Sequence, residues 1–462
     1  MASHRRISLH SVQQLNALSI LHLPSETLLD ILRFVSIRDL FNCRTTCKTF
    51  HTITDDRQLW YSVLSATLSV PIRHIHAVAD ALTSAELRRR ALRASMMKDG
   101  WRREQATPLC VQTYPWNTRV QDIRLVPGGE WMVCLLDDGT LQLYKVGQNV
   151  PAFVVPFALD IRGYTKNSIF ISESEFQLLL HCNVKLYIYQ VNIHHQPSLR
   201  LLSVLVADDL AGVSALRNAT IGGNLLGVDC YHDGGDLIYM KTLRAAPDGG
   251  GYSHVGMIHD SRDCVLHLLS PTRILSCNTR GMSVFKIPPM RTTAQINQIV
   301  TADRVWHSSF SIVQPGTLQS SPGLWNRPDG QHDGPLVLLG PGVLHIIVPS
   351  LEVDNYEVRT FPMPQILSSH IEVGVLHALC PQREPRHGLI FRMCTFPKIL
   401  KGDGVVEPLE LHPDHVVVGS FVVNEFAPLH ALSCSFDEWT GRVCLLLQDP
   451  NGRRRVAIVD VL

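Results

Sequence analysis

The sequence predicts a small α-helical module followed by a large all-β domain, because two kinds of pattern occupy different parts of the chain. Apolar residues recur at helical spacing between about residues 20 and 62. After about residue 106, short apolar or β-branched runs alternate with turn residues. The chain has 462 residues, of which 45% are hydrophobic, so it can build a sizeable core in addition to the small module.

The first predicted element is an amphipathic helix that begins at Pro24. Leu28, Ile31, Leu32 and Val35 follow at steps of three and four residues. Proline suits the first helical turn because its missing N–H would be unpaired there. A second apolar set follows directly and predicts two or three short helices. About forty residues make a marginal core, so we expect a partner or the next domain to complete the module.

A connecting helix is predicted from Thr83 to Gly100. Thr83 and Glu86 have the spacing of a capping box, in which each side chain binds the other residue's backbone N–H. One face of this helix carries Leu87, Ala91 and Ala94.

The β region predicts a β-propeller. Its hairpin turns are centred at Asp138-Gly139, Asn183, Gly234, Thr279, Gly342 and Asn451-Gly452. Most of these centres are spaced by about the length of one four-stranded blade, so roughly six to eight blades fit, with seven favoured. A β-sandwich or a pair of barrels is the alternative, because regular hairpins alone do not require a closed ring. The apolar run from Val456 to Leu462 predicts a closing strand.

These patterns divide the chain into four segments. They are a flexible N-terminus (1–19), the helical module (20–62), a helical linker (63–105) and the propeller (106–462).

The sequence contains none of the common phosphate-loop, dinucleotide, zinc-protease, nucleophile-elbow or paired CxxC motifs. Cys43 and Cys47 are four residues apart, yet no second pair lies nearby, so we interpret them as core cysteines. The pairs His74/His76 and His194/His195 are not expected to bind metal. We therefore predict no catalytic residue, no metal and no cofactor, although a triad assembled only by the fold would escape this search.

The segment from Gln314 to Pro335 is long and rich in glycine, proline and serine. Loops of this length are usually functional or disordered. It carries Trp325 beside Arg327, the residue types most often found at binding hot spots. These two residues are the candidate target contacts, and the alternative is an insertion with Trp325 packed on its own blade.

A net charge of +1 gives no indication of the positively charged surface that binds nucleic acid or an anionic membrane. The short basic clusters at 88–90 and 453–455 are interpreted as solvated faces. The N-terminus lacks the apolar core of a secretory signal, and no run approaches a membrane span of about 18 apolar residues. Twelve cysteines without framework spacing are typical of a reducing compartment, so we expect the cytoplasm or nucleus.

The helical module resembles an F-box over about forty residues. The resemblance is carried by Leu23-Pro24-x-Glu26, Leu28-Leu29, Ile31-Leu32, Arg38-Asp39-Leu40, Cys43-Arg44, Cys47-Lys48, Phe50 and Leu59-Trp60. The sequence departs from the family pattern at two places: Phe50 stands where tryptophan is frequent, and no proline precedes Asp39. Over the helical module and the β region taken together, the chain is similar to fungal F-box proteins that have a propeller-like C-terminal region.

The resemblance implies a three-helix domain that docks on a Skp-type adaptor and through it on a cullin-RING ubiquitin ligase. Leu23 and Pro24 are expected to begin the adaptor surface, and Ile31 and Leu32 to continue it. Leu28 is a further candidate for adaptor binding. Leu40, Cys47, Phe50 and Trp60 are expected either to hold the helices together or to lie at the rim of that surface.

The resulting hypothesis is a substrate-recognition subunit whose F-box binds the adaptor and whose propeller binds the target for ubiquitination and proteasomal degradation. One alternative is an F-box scaffold without a role in ubiquitination. The other is a propeller hydrolase or glycan binder, which requires convergent acidic, His or metal-binding side chains at the central channel.

Overall fold

The computed structural model divides the chain into two compact units. One holds Met1–Thr67 and Val78–Ser95, and the other holds Leu68–Ala77 and Met96–Leu462. The structure describes residues 20–67, 82–100, 108–114, 120–155, 168–172, 177–182, 184–193, 196–210, 212–222, 224–233, 235–244, 253–259, 264–278, 280–290, 299–309, 319–320, 336–340, 343–349, 355–362, 372–373, 377–384, 388–395, 417–423, 426, 428–438 and 440–461.

The first unit is helical. After a 3-10 turn at Ile20–His22, its helices are α1 (Ser25–Leu32), α2 (Ile37–Thr46), α3 (Lys48–Ile53), α4 (Arg57–Thr67) and α5 (Ser84–Gly100), the last continuing past the unit's limit at Ser95. No helix in the described part of the chain is both long enough and apolar enough to cross a membrane.

The start of α1 differs from the prediction by one position. Pro24 is the N-cap, with an extended ψ of 147°, and its carbonyl accepts a hydrogen bond from the Leu28 N–H at 3.0 Å. The helix also ends at Leu32, so Val35 lies outside it, contrary to the predicted periodic set. The N-cap of α2 is Ser36, whose hydroxyl accepts from the Asp39 N–H at 3.1 Å.

The capping box predicted for α5 is present. The Thr83 N–H donates to Glu86 Oε2 at 2.8 Å, and the Glu86 N–H donates to Thr83 Oγ1 at 3.3 Å. These bonds hold the pKa of Glu86 below its usual value, chiefly through the Thr83 N–H. Two otherwise unpaired backbone groups are thereby satisfied where the helix begins.

The interior of the helical unit is formed by one apolar side of each longer helix. Trp60 is fully buried, its Nε1–H donates to the Thr54 carbonyl at 2.6 Å, and its ring centroid lies 5.7 Å from that of Phe41. The other buried apolar residues of this unit are Leu28, Leu32, Ile37, Leu40, Leu59, Val63, Leu64, Leu87, Ala91 and Ala94.

The second unit consists of strands. In chain order they are β1 (Pro108–Tyr114), β2 (Val120–Leu125), β3 (Trp131–Leu136), β4 (Leu141–Lys145), β5 (Phe153–Val155), β6 (Ser168–Ser172), β7 (Gln177–Cys182), β8 (Lys185–Asn192), β9 (Ser198–Val206), β10 (Val213–Gly222), β11 (Leu225–His232), β12 (Gly235–Thr242), β13 (His254–His259), β14 (Val265–Ser270), β15 (Arg273–Asn278), β16 (Gly281–Lys286), β17 (Ile299–Thr301), β18 (Asp303–Ser309), β19 (Gln319–Ser320), β20 (Leu336–Gly340), β21 (Val343–Pro349), β22 (Tyr356–Pro362), β23 (Glu372–Val373), β24 (His377–Glu384), β25 (Gly388–Thr395), β26 (Val417–Val422), β27 (His430–Asp437), β28 (Arg442–Gln448) and β29 (Arg454–Val461).

The strands form seven sheets, which we call blades. Their strand orders are β2-β3-β4-β5 (blade 1), β6-β7-β8-β9 (blade 2), β10-β11-β12-β13-β17 (blade 3), β14-β15-β16-β18 (blade 4), β19-β20-β21-β22 (blade 5), β23-β24-β25-β26 (blade 6) and β27-β28-β29-β1 (blade 7). Every pairing between described strands is antiparallel except β13 with β17.

Each blade packs on the next, and the last packs on the first. The strand contacts include β2 with β6, β7 with β10, β10 with β14, β20 with β23, β24 with β27, and β27 with β2. Blades 4 and 5 share a cluster that contains Leu275, Met282, Leu336 and Ile347. The sheets therefore close into a seven-bladed β-propeller, which confirms the predicted fold class and excludes the sandwich and the pair of barrels.

Blade 7 is completed by the first strand of the unit. β1 pairs with β29, as in Val111 with Val459, and forms the outer edge of the blade. The final apolar run is thus an interior strand covered by β1. Pairing strands from the two ends of the propeller closes the ring without an unpaired β29 edge.

The predicted hairpins join the second and third strands of their blades. Gly139 and Gly452 lie between β3 and β4 and between β28 and β29, with φ of 83° and 80°. The other four turn centres lie outside the described residues, but their flanking strands pair as β7 with β8, β11 with β12, β15 with β16 and β20 with β21. The β24–β25 hairpin of blade 6 has no Asn-Gly or Asp-Gly signal, so the sequence analysis missed it.

Candidate functional site

The helical unit exposes large apolar side chains around α1. Phe34 is 92% exposed and Ile31 is 41% exposed. We call the whole group the exposed apolar set; its members are Ile20, Leu21, Leu23, Ile31 and Phe34. Grouped apolar exposure on a small unit is typical of a surface that binds another protein.

The local backbone places these side chains at the two ends of α1. Before the helix, the 3-10 turn is closed by the Leu23 N–H, which donates to the Ile20 carbonyl at 3.1 Å. After it, the Phe34 N–H donates to the Ile31 carbonyl at 3.1 Å. Eight helical residues span about 12 Å, so the set extends over roughly that length along α1.

Of the nine residues predicted for adaptor binding, the structure exposes three: Leu23, Pro24 and Ile31. Cys47 and Phe50 are half-buried. The remaining four, Leu28, Leu32, Leu40 and Trp60, are buried and hold the helices together.

Leu32 was expected to continue the contact surface, but it is only 3% exposed. Leu28 and Leu32 are four residues apart and therefore share one side of α1, which faces the interior. Ile31 is rotated by about 100° from Leu32 on the helix and faces solvent. Leu32 therefore does not belong to the exposed contact surface that the resemblance implies.

Phe34 is the main residue that sequence reasoning missed. The apolar pair Phe34-Val35 reads as a continuation of the helical pattern, whereas α1 stops at Leu32 with Arg33 as its C-cap. An aromatic residue directly after a helix, followed by the N-cap Ser36 of the next helix, is the signal that could have placed it in an exposed connection.

A charged network centred on Asp55 links helices of this unit. Asp55, in the turn before α4, accepts from Arg44 of α2 at 2.6 Å and from Arg88 of α5 at 3.0 Å. The Asp55 backbone carbonyl also accepts from the Ser84 hydroxyl at 2.7 Å. The hydrogen bond from Arg44 is the main cause that lowers the pKa of Asp55. One carboxylate therefore ties together three elements of the unit.

Cys43 and Cys47 are interpreted above as core cysteines, but in the structure both are only half-buried. α2 ends at Thr46, and Cys47 is extended, with φ of −156° and ψ of 165°. It is the N-cap of α3, and the backbone N–H of Phe50 is the main cause that lowers the pKa of its thiol. Because α2 ends before Cys47, the four-residue spacing does not place the two cysteines on one helical face.

The candidate target contacts Trp325 and Arg327 lie outside the described residues, as do His74, His76, His194 and His195.

Comparison with known proteins identifies the helical unit. Residues 20–65 match the family model described as F-box-like. No curated protein matches the chain.

Several solved structures match about three quarters of this chain at 10% identity. The β-propeller domain of Cps50 (Swd1) from Myceliophteria thermophila superimposes with a TM-score of 0.46 at 10% identity, covering 76% of this chain and 98% of that one. U3-55K has a TM-score of 0.42 at 10% identity, covering 77% of this chain and 99% of that one. The WD40 repeats of RRP9 have a TM-score of 0.39 at 10% identity, covering 78% of this chain and 99% of that one.

The fold assignment itself rests on the strand pairing and closure described above. The chain therefore carries an F-box-like domain at residues 20–65, followed by a seven-bladed β-propeller.

Proposed function

We propose that this chain is the substrate-recognition subunit of a Skp–cullin–F-box ubiquitin ligase and acts in the cytoplasm or nucleus. The observation that carries the proposal is the exposed apolar set on a domain that matches the F-box-like model. An apolar surface of this kind on a small helical unit gains stability when a partner covers it.

The adaptor contact is assigned to Leu23, Pro24, Ile31 and Phe34. An exposed aromatic ring with apolar neighbours has the composition of an interface hot spot, whose truncation costs about 2 kcal/mol or more. The buried residues Leu28, Leu32, Leu40 and Trp60 contribute by holding α1 and its flanking turns in place. Cys47 and Phe50, being half-buried, lie at the rim.

The propeller is assigned to target binding. Its described blades bury their apolar residues in clusters between neighbouring blades, which leaves the loops free to vary as a binding surface. The mechanism is proximity: binding the target and the adaptor together raises the effective concentration of a target lysine near the ubiquitin thioester held by other subunits. This chain needs no catalytic residue in that scheme.

The first test is co-purification of the full chain with a Skp-type adaptor. The double variant Ile31→Asp/Phe34→Asp should lose adaptor binding while keeping the circular dichroism spectrum and melting temperature of the wild type. Leu201→Asp is the matched control, because Leu201 is an apolar residue of the propeller exposed to a similar degree, 46% against 41% for Ile31. Absence of binding by the folded wild type would refute the adaptor role.

The second test addresses ubiquitination. Cells in which the chain is replaced by the Ile31→Asp/Phe34→Asp variant should accumulate proteins that bind the propeller, with longer half-lives than in wild-type cells. Adaptor binding together with unchanged half-lives of all propeller-bound proteins would favour the scaffold function instead.

A further inference from the structure

A buried polar cluster in blade 3 is unrelated to the adaptor surface. Arg217 of β10 contacts two carboxylates, with Nη2 at 2.7 Å from Asp229 Oδ1 and at 2.6 Å from Asp236 Oδ1. Asp229 is fully buried and Asp236 is 8% exposed. Arg217 therefore joins two carboxylates in a largely buried site, where charged groups are costly unless they are paired.

Two further side chains converge on Asp229. His259 is the last residue of β13, and Cys264 lies just before β14 of blade 4. One ligand atom from each of Asp229, His259 and Cys264 lies within 4.8 Å of the others, and His259 Nε2 is 3.8 Å from Asp229 Oδ1. All three residues are buried, so these donors meet in a site from which bulk solvent is excluded.

One of the possible metal-ligand atoms at this point has no hydrogen-bond partner. Asp229 Oδ2 has no hydrogen-bond partner among the described residues, although it is completely buried. Buried carboxylate oxygens are nearly always paired, so an orphaned one calls for an ion or water that the protein itself does not supply. The oxygen belongs to the same carboxylate that faces His259 and Cys264.

We propose that Asp229, His259 and Cys264 bind a divalent metal ion of the zinc class. Carboxylate oxygen, imidazole nitrogen and thiolate sulfur are the three donor types that zinc takes in proteins. Donor atoms around a tetrahedral zinc stand roughly 3.5 Å apart, as follows from bond lengths of about 2.0–2.3 Å, so the side chains need to move inward by about an ångström or less.

The position of the cluster gives the ion a structural role. His259 ends β13 of blade 3 and Cys264 directly precedes β14 of blade 4, while Asp229 comes from the second strand of blade 3. The Cys264 backbone is already fixed, because Asn218 Nδ2 donates to its carbonyl at 2.8 Å. A bound ion would therefore link the end of β13 and the start of β14 to strand β11 in blade 3. Metal binding of this type adds to folding stability.

The competing explanation is a site without metal, in which a buried water or a hydrogen bond from the His259 ring satisfies the Asp229 carboxylate. Both explanations predict that changing Asp229 harms the fold. They differ in metal content and in the effect of chelators.

The experiment is metal analysis of the full chain purified without chelator, by inductively coupled plasma mass spectrometry. We expect close to one equivalent of zinc per folded chain, and less than a tenth of that in Cys264→Ser and Asp229→Asn. Cys380→Ser is the matched control, since Cys380 is equally buried but lies in β24 of blade 6, and it should retain the zinc.

A second measurement covers the case in which the variants fold poorly. Wild-type protein reloaded with Co²⁺ should show the thiolate-to-cobalt charge-transfer band, and a zinc chelator should lower the melting temperature of the wild type and of Cys380→Ser but not of Cys264→Ser. Folded wild-type protein with substoichiometric metal, no cobalt band and a melting temperature unaffected by chelator would overturn the proposal.

Discussion

The Ser433 hydroxyl donates to the Asp122 carboxylate at 2.6 Å across 311 residues of sequence, in a buried site between blade 7 and blade 1. Further polar contacts join the same two blades. The Leu125 N–H donates to Ser435 Oγ at 2.8 Å, and Arg124 donates to the Cys434 carbonyl at 2.9 Å. The ring is thus closed by directional bonds as well as by the apolar cluster of these blades.

Ser433→Ala should destabilise the propeller by about 1–3 kcal/mol, because it removes a donor from a buried carboxylate. Ser214→Ala is the control: Ser214 also lies on the first strand of its blade, but it is exposed, and its loss should change stability by less than about 0.5 kcal/mol. Urea unfolding of both variants provides the comparison. Equal midpoints for the two variants would show that the Asp122 contact does not stabilise the closure.

Gly129→Ala should be more damaging than Gly147→Ala. Both glycines have positive φ, +64° and +91°, so each alanine adds backbone strain of about 1–2 kcal/mol. A Cβ on Gly129 would also collide with Thr440 Oγ1 of blade 7, whereas a Cβ on Gly147 meets nothing within 4 Å. The difference between the two unfolding free energies, expected at about 1–3 kcal/mol, therefore reflects mainly the crowding at Gly129. A smaller penalty at Gly129 would contradict the close approach of blades 7 and 1.

Substitutions at Trp60 and Phe34 should show that stability and adaptor binding depend on different residues. Trp60→Phe removes the hydrogen bond to the Thr54 carbonyl and should lower stability by about 1–3 kcal/mol while adaptor affinity stays within about twofold. Phe34→Ala should leave stability within about 0.5 kcal/mol, because the side chain is 92% exposed, and should weaken adaptor binding by roughly 30-fold. Calorimetric titration with the adaptor and thermal melts test both variants. The reverse pattern would place the contact surface elsewhere on the helical unit.

Acid should destabilise the propeller through two histidines. Burial lowers the pKa of His267 and of His345 to about 4, from about 6.5 in an unfolded chain. Between these values the unfolded chain binds protons that the folded protein does not, so stability is complete above about pH 6.5 and is lost as the pH falls towards 4.

The measurement is the melting temperature as a function of pH for the wild type and for His267→Gln/His345→Gln. The double variant should have a flatter profile over that window. His430→Gln, which changes an exposed histidine, should follow the wild-type profile. A double variant that follows the wild-type profile would show that other groups cause the acid sensitivity.

Local signals account for the parts of the fold that were predicted. The capping box at Thr83 and Glu86 and the glycine turns at Gly139 and Gly452 each act within a few residues, so the sequence reveals them directly. Blade closure was inferred from the spacing of such turns. The pairing of β1 with β29 was not foreseen, because nothing in either run indicates a partner so distant in sequence.

The candidate sites also depend on contacts between residues distant in sequence, which local sequence signals do not reveal. Ile31 and Leu32 are adjacent and equally apolar, so only the orientation of α1 in the folded unit decides which of them faces solvent. Asp229, His259 and Cys264 have no motif spacing, and tertiary structure alone brings their donor atoms together. Sequence patterns locate elements well, whereas contacts between distant elements need the fold.

The pairing of β1 with β29 also bears on how the protein is made. During synthesis, β1 is among the first parts of the propeller to leave the ribosome, and it has no partner strand until Arg454–Val461 emerges. The apolar side of blade 1 that packs on blade 7 stays uncovered throughout that interval, and long-range pairing of this kind forms slowly. The nascent chain is therefore expected to depend on chaperones until its final strand is released, even if the helical unit at its N-terminus has already folded.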